Sequence, residues 1–130
     1  MRHLDTNIVI AFLNGDQDIA DKIDTHLPHV AVSTLVIAEL RYGARASART
    51  TANLQRLEEF LQTVNIVDFD QASADSYSCI RLDLRRKGKP TGEMDLLIAS
   101  IAIANDAILV THNTKHFSQI DGLVLEDWLE

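Results

Sequence analysis

One cysteine, Cys79, stands alone among 130 residues. An internal disulfide and a cysteine zinc site are therefore excluded, and a reducing compartment fits. Two prolines and five glycines are too few for a linker or a low-complexity tract, and no internal repeat is visible. Aromatic residues make up 5% of the chain, too sparse to interleave with bases as stacking platforms for a single strand. No apolar run is long enough to span a bilayer, since the longest, residues 96–104, holds a serine. Asp5 puts a carboxylate where a secretory leader would begin its apolar stretch, so no export signal is expected and the cytoplasm is the expected location.

Positive charge is scarce, and it is unevenly placed. The net charge is −7, but residues 41–89 hold nine of the twelve Lys and Arg against six acids. The remainder holds three bases against thirteen acids. An acidic chain can thus carry a basic face for a polyanion, although ordinary solvated helix faces would give the same count. Apolar residues at 46% and charged ones at 24% describe a globular protein. At this length the whole chain, 1–130, forms one domain with its own core.

Short stretches at residues 2–5, 30–32, 66–69 and 107–111, with a possible edge strand at 123–125, read as strands, of which 30–32 and 107–110 are continuously apolar. Between them apolar residues recur at helical spacing over 6–13, 16–26, from Ser33 through Leu40, 52–64, 71–87 and 93–105. Strands alternating with helices imply a parallel sheet covered on both faces, an α/β sandwich of three layers.

Ligands of such sheets bind beyond the carboxyl ends of the strands. That rule selects Asp5 after the first strand, Glu39 on the helix that follows Ser33, Asp95 in the first turn of an apolar helix, and Asn113 after the strand ending at Thr111. Each has a plainer reading. Asp5 can cap a helix, Asp95 can answer a helix dipole, and Glu39 can be the wet side of an amphipathic helix. Three carboxylates in one cleft would raise one another's pKa, which a hard divalent cation relieves. Such a cation can arm a water against a phosphodiester. No side chain offers itself as a nucleophile. His112 and His116 are spaced as half a zinc site would be, but no third ligand accompanies them, and structural roles suit all five histidines better.

Arg41, Arg45 and Arg49 would share a stripe if their helix continues past Gly43. A second basic tract comprises Arg81, Arg85, Arg86, Lys87 and Lys89. Both are phosphate-contact candidates. Two other classes compete with hydrolysis of a nucleic acid. An aspartyl-nucleophile phosphohydrolase would want a second carboxylate where Asn7 stands. A receiver-like signalling module would need Asp68 or Asp70 as a phosphorylated residue and leaves Glu39 unexplained.

Five pieces in order resemble the PIN-domain ribonucleases, and within them the VapC-type toxins of toxin–antitoxin pairs. They are Leu4-Asp5-Thr6-Asn7-Ile8, Ala38-Glu39-Leu40-Arg41-Tyr42-Gly43, Lys89-Pro90-Thr91-Gly92-Glu93-Met94-Asp95-Leu96-Leu97-Ile98-Ala99, Leu109-Val110-Thr111-His112-Asn113-Thr114-Lys115-His116-Phe117, and Asp121-Gly122-Leu123 with Glu126-Asp127-Trp128. The resemblance implies a three-layer α/β/α PIN-like domain and RNA cleavage, of tRNA among structured RNAs, dependent on Mg²⁺ or Mn²⁺. It further implies a homodimer held inactive by a cognate antitoxin. By position, Asp5, Glu39 and Asp95 match the family's acidic residues. Asn113 and His116 stand where relatives place further acids, and Thr6 and Thr111 look like supporting hydroxyls. The basic tract, with Arg41, is the implied RNA approach. The apolar faces bearing Ile8, Phe12, Ile19 and Ile23, and the segment 35–42, are candidate docking or dimer surfaces.

Overall fold

The computed structural model describes residues 1–130. The strands are β1 (Arg2–Leu4), β2 (Val30–Ser33), β3 (Asn65–Val67), β4 (Ile108–Val110) and β5 (Val124–Glu126). The helices are α1 (Thr6–Leu13), α2 (Gln17–His26), α3 (Thr34–Arg45), α4 (Thr50–Leu61), α5 (Gln71–Lys87), α6 (Glu93–Ala104) and α7 (Thr114–Phe117). All strand pairs are parallel, in the order β3-β2-β1-β4-β5. Parallel neighbours need crossover connections, and here each crossover carries a helix. From β1 the chain runs outward through β2 and β3, then crosses to the other side for β4 and β5. β1 is therefore the point where strand order reverses, and the crevice beyond its carboxyl end is the natural ligand site.

Burial explains why the strands lack alternation. Every residue of β2 is buried, as are Leu4, Leu109 and Val110, because helices cover both faces. Only the outermost strands expose large side chains, Ile66 at 51% and Val124 at 57%. After its first turn α6 is almost wholly apolar, and it buries Leu96, Ile98, Ala99, Ser100, Ile101 and Ala102. The single polar residue in that run is satisfied internally, its hydroxyl donating to the Leu96 carbonyl at 2.6 Å.

Several expectations are corrected. α3 does pass Gly43, but it ends at Arg45, and Arg49 lies beyond it as the residue before α4. The stripe therefore holds Arg41 and Arg45 only. α4 stops at Leu61 rather than Val64, because Thr63 turns back to bond the Phe60 carbonyl through both its amide and its hydroxyl. One helix was not foreseen, the single turn of α7, too short for periodicity to mark, which buries Phe117. The apolar face of the early helices is core rather than a docking surface. Ile8 and Ile19 are fully buried, Ile23 nearly so, and Phe12 packs on Phe60 with ring centroids 4.8 Å apart. Of the segment 35–42, Val36, Ile37 and Leu40 are core, while Tyr42 is 75% exposed. No helix is long and apolar enough to cross a membrane.

Candidate active site

Asp5 leaves β1 with extended backbone and caps α1, its Oδ1 accepting the Thr6 amide at 2.8 Å. Register sets Leu4 opposite Val110, so Asp5 comes level with Thr111 at the end of β4. The Thr111 hydroxyl donates to Asp5 Oδ2 at 2.8 Å. Asp5 is only 4% exposed. Burial pushes its carboxyl above the ordinary aspartate value, the bonds from Thr111 and Thr6 pull it back, and the charges of Asp95 and Glu39 push it up again. Those two acids are therefore within electrostatic reach of Asp5, although they stand 90 and 34 positions further along the chain.

Glu39 reaches the rim from α3, a helix started by the Ser33 hydroxyl on the Val36 amide. The Thr6 hydroxyl donates to Glu39 Oε1 at 2.6 Å. One residue thus serves two acids, its amide bonding Asp5 and its hydroxyl bonding Glu39. Asp95 sits in the first turn of α6 with Glu93, where the positive helix end favours a carboxylate. Its Oδ2 lies 3.4 Å from His116 Nδ1 on α7. Asn113 is exposed, and its amide donates to Thr111 Oγ1 at 3.0 Å, which keeps it beside the same rim.

The residues the sequence left open now have places. His112 and His116 do not act as a pair. His112 Nδ1 lies 3.0 Å from Asp127, while His116 faces Asp95. Asn7, where a phosphohydrolase would need its second acid, accepts the His112 amide through Oδ1 at 3.1 Å and so ties α1 to the end of β4. Asp70 caps α5, taking both the amide and the hydroxyl of Ser73 at 2.9 Å, which holds its carboxyl below the ordinary value. An aspartate spent in that way is not a free phosphoacceptor. Asn7, His112 and Asp127 lie within the pieces that carry the resemblance, but nothing in the sequence showed that they bond across the end of β4.

Among the basic candidates, Arg41 is held by Glu58 at 3.0 Å, and Lys87 by Asp83 at 2.7 Å and Asp121 at 2.8 Å. Arg81, Arg85 and Lys89 line one cleft between the end of α5 and the start of α6, whereas Arg86 is exposed outside it. A second, largely apolar cleft of about 250 Å³ lies beside Glu39, lined by Ile10, Leu13, Leu40 and Leu57 with Asn53 and Arg56.

The donor set fits an oxygen-seeking cation. It offers carboxylates without thiolates, and the crowding of negative charge on buried Asp5 is what a positive ligand would relieve. No three His, Cys, Asp or Glu side chains are drawn in closely enough to form a closed cage among themselves. Such an ion would therefore complete its shell with water, as Mg²⁺ does when it takes one or two carboxylates.

Comparison with known proteins places the chain in a family. The PIN domain family model matches residues 3–123. The chain is 39% identical over 132 residues to ribonuclease VapC2 of Rickettsia felis, covering 96% of each chain. It is 35% identical over 126 residues to the tRNA(fMet)-specific endonuclease VapC of Shigella flexneri, again covering 96% of each. In the crystal structure of the Rickettsia felis VapBC2 complex bound to a promoter DNA fragment, the matching chain superposes with a TM-score of 0.92 at 37% identity, covering 98% of both chains. The fold and its crevice define an α/β/α nuclease domain, and the chain belongs to the PIN-domain family. Within that family it belongs to the VapC-type ribonucleases.

Proposed function

We propose that the chain hydrolyses phosphodiester bonds of structured RNA, tRNA being the first class to test, with Asp5, Glu39 and Asp95 holding Mg²⁺ or Mn²⁺ partly directly and partly through the ion's waters, and Asn113 at the edge of that set. The single observation that carries this reading is that Thr6 bonds buried Asp5 through its amide and Glu39 through its hydroxyl, which brings two acids from distant segments to the end of β1. When bound, the cation supplies an acidified water and offsets the negative charge that develops on the phosphodiester.

The chain's own residues supply the positioning. Thr111 and the Thr6 amide fix both oxygens of Asp5. The Thr6 hydroxyl fixes Glu39, so the first two acids share one anchor. Asp95 stands in the first turn of α6, at the positive end of the helix dipole. His116, on the other side of Asp95, brings an imidazole where a further acid would add to the repulsion.

A cognate antitoxin is the proposed partner, in keeping with the VapBC complexes that similar chains form. Its proposed seat is the apolar cleft beside Glu39, where a bound helix would cover the acidic rim. A homodimer and a cytoplasmic location complete the proposal. The test uses purified chain with a tRNA mixture. Cleavage should require Mg²⁺ or Mn²⁺, stop with EDTA, and vanish in Asp95→Asn. Full activity of Asp95→Asn would remove Asp95 from the site.

A further inference from the structure

The end of α5 and the start of α6 enclose a cleft of about 460 Å³. It exists because Gly88 adopts a left-handed φ of +65° and reverses the chain immediately after Lys87. The loop 89–92 then returns to α6. Arg81 and Arg85, one helical turn apart, line the wall from α5, and Lys89 lines it from the loop. Thr91 and Glu93 form the opposite side.

These bases differ from the others in one respect. Arg41 and Lys87 are neutralised by acids of the same chain. Arg85 and Lys89 make no side-chain hydrogen bond or ion pair within the protein. Arg81 is held in place without being neutralised directly. Its Nη1 donates to the Tyr77 hydroxyl at 2.8 Å, its guanidinium lies 5.8 Å from the Tyr77 ring centre, and that hydroxyl donates to Glu93 at 2.5 Å. The lone acid of the cleft is thus engaged by Tyr77, which leaves two uncompensated cations facing solvent. The cleft is closed on one side by the start of α6, the helix end that also carries Asp95.

We propose that Arg85 and Lys89 form a phosphate-binding subsite that grips the RNA backbone beside the acidic centre, with Arg81 fixed on Tyr77 as its inner wall. The inference rests on the ribonuclease reading, and it narrows the two basic stretches to one cleft. Phosphate contacts of this kind position a strand without reading its sequence.

The experiment measures binding of a fluorescein-labelled RNA hairpin to the Asp95→Asn chain by anisotropy across a salt series, with and without Arg85→Ala plus Lys89→Ala. Each lost phosphate contact should lower the slope of log K against log salt by about 0.7. The double variant should therefore lose about sevenfold less affinity than its parent between about 50 and about 200 mM salt. Lys22→Ala, at an exposed base outside the cleft that donates to the Trp128 carbonyl at 3.3 Å, should leave that slope unchanged. In the otherwise intact chain the double variant should raise KM for RNA cleavage with kcat kept. An unchanged slope overturns the subsite, even if the chain cleaves RNA. If the chain fails to cleave RNA but the slope still falls, the catalytic reading fails and the subsite stands. A circular dichroism melt of the double variant shows that loss of binding is not loss of fold.

Discussion

His3 is a buried base with nothing to bond. It lies on β1 between β2 and β4, is 3% exposed, and its Nε2 has no hydrogen-bond partner. Burial, reinforced by the N-terminal ammonium, pushes its pKa from 6.5 down to about 4. The unfolded chain therefore takes a proton that the folded chain refuses. Stability is intact above the unfolded value, is lost as pH falls from about 6.5 toward about 4, and changes no further below that. The two pKa values give a loss of about 2 kcal/mol at pH 5 and about 3 kcal/mol at pH 4. Other groups titrate in the same range, so the measurement is a difference. Urea unfolding of the chain and of His3→Leu is compared at pH 7, 6 and 5. The stability of the original chain relative to the variant should fall by about 2 kcal/mol over that span. A difference that stays within about 0.5 kcal/mol would refute the reasoning, since His3 would then be protonated in the folded state or already hydrated. An NMR titration of the His3 ring, expected to show no protonation until well below pH 6, checks the same point independently.

Asp5→Asn keeps the cap on Thr6 through its amide oxygen and removes a charge that the folded state disfavours. It also takes the acceptor from the Thr111 hydroxyl, so the two effects on stability oppose, whereas RNA cleavage on a gel should fall by about 100-fold; undiminished cleavage would count against the role of Asp5. Thr111→Val removes the hydroxyl bonded to Asp5 Oδ2 and leaves a buried carboxylate oxygen unpaired. Urea unfolding should show a loss of about 1–3 kcal/mol, and cleavage should drop by about 10–100-fold.

The sheet was legible because β2 and β4 are short and apolar nearly throughout, and because the long helices between the first four strands show their own period. α1 and α5 match the expected ranges at both ends, each with a residue at its start that sequence can identify, Asp5 and Asp70. α4 was displaced because its end is set by Thr63 bonding backward, which apolar spacing does not record. At the site, the positions of Asp5, Glu39 and Asp95 could be inferred from where the strands end. What could not be inferred is which neighbour holds which acid. That Thr6 serves Asp5 and Glu39 together depends on how α1 and α3 meet at the rim. Arg41 pairs with Glu58, 17 positions away, which leaves no local trace; Lys87 pairs with Asp83 at a helical spacing that the sequence does show, and with Asp121, 34 positions away, which it does not. Charge counting alone ranked those two bases beside Arg85 and Lys89. The misplaced docking face had the same cause, for periodicity shows that a helix face is apolar without showing what covers it.

Capping alone does not account for the carboxylate at position 5. Serine, asparagine and aspartate serve about equally well as caps, and Ser33, at the end of the neighbouring strand, starts α3 with an uncharged hydroxyl. Asp70 shows what a carboxylate does when capping is its task. It is exposed, it takes two bonds from Ser73, and its pKa falls, so its charged form is favoured. Asp5 also stands at a helix start, bonded to the next amide rather than the third, but under opposite terms, with burial and two further acids raising its pKa. The charge is thus a cost to the free fold, placed at the reversal point of a parallel sheet where ligands bind. A bound divalent cation would turn each of those repulsions into an attraction. The feature that weakens the protein when empty would then tighten it when loaded, and the charge, rather than the cap, is the reason for an aspartate there.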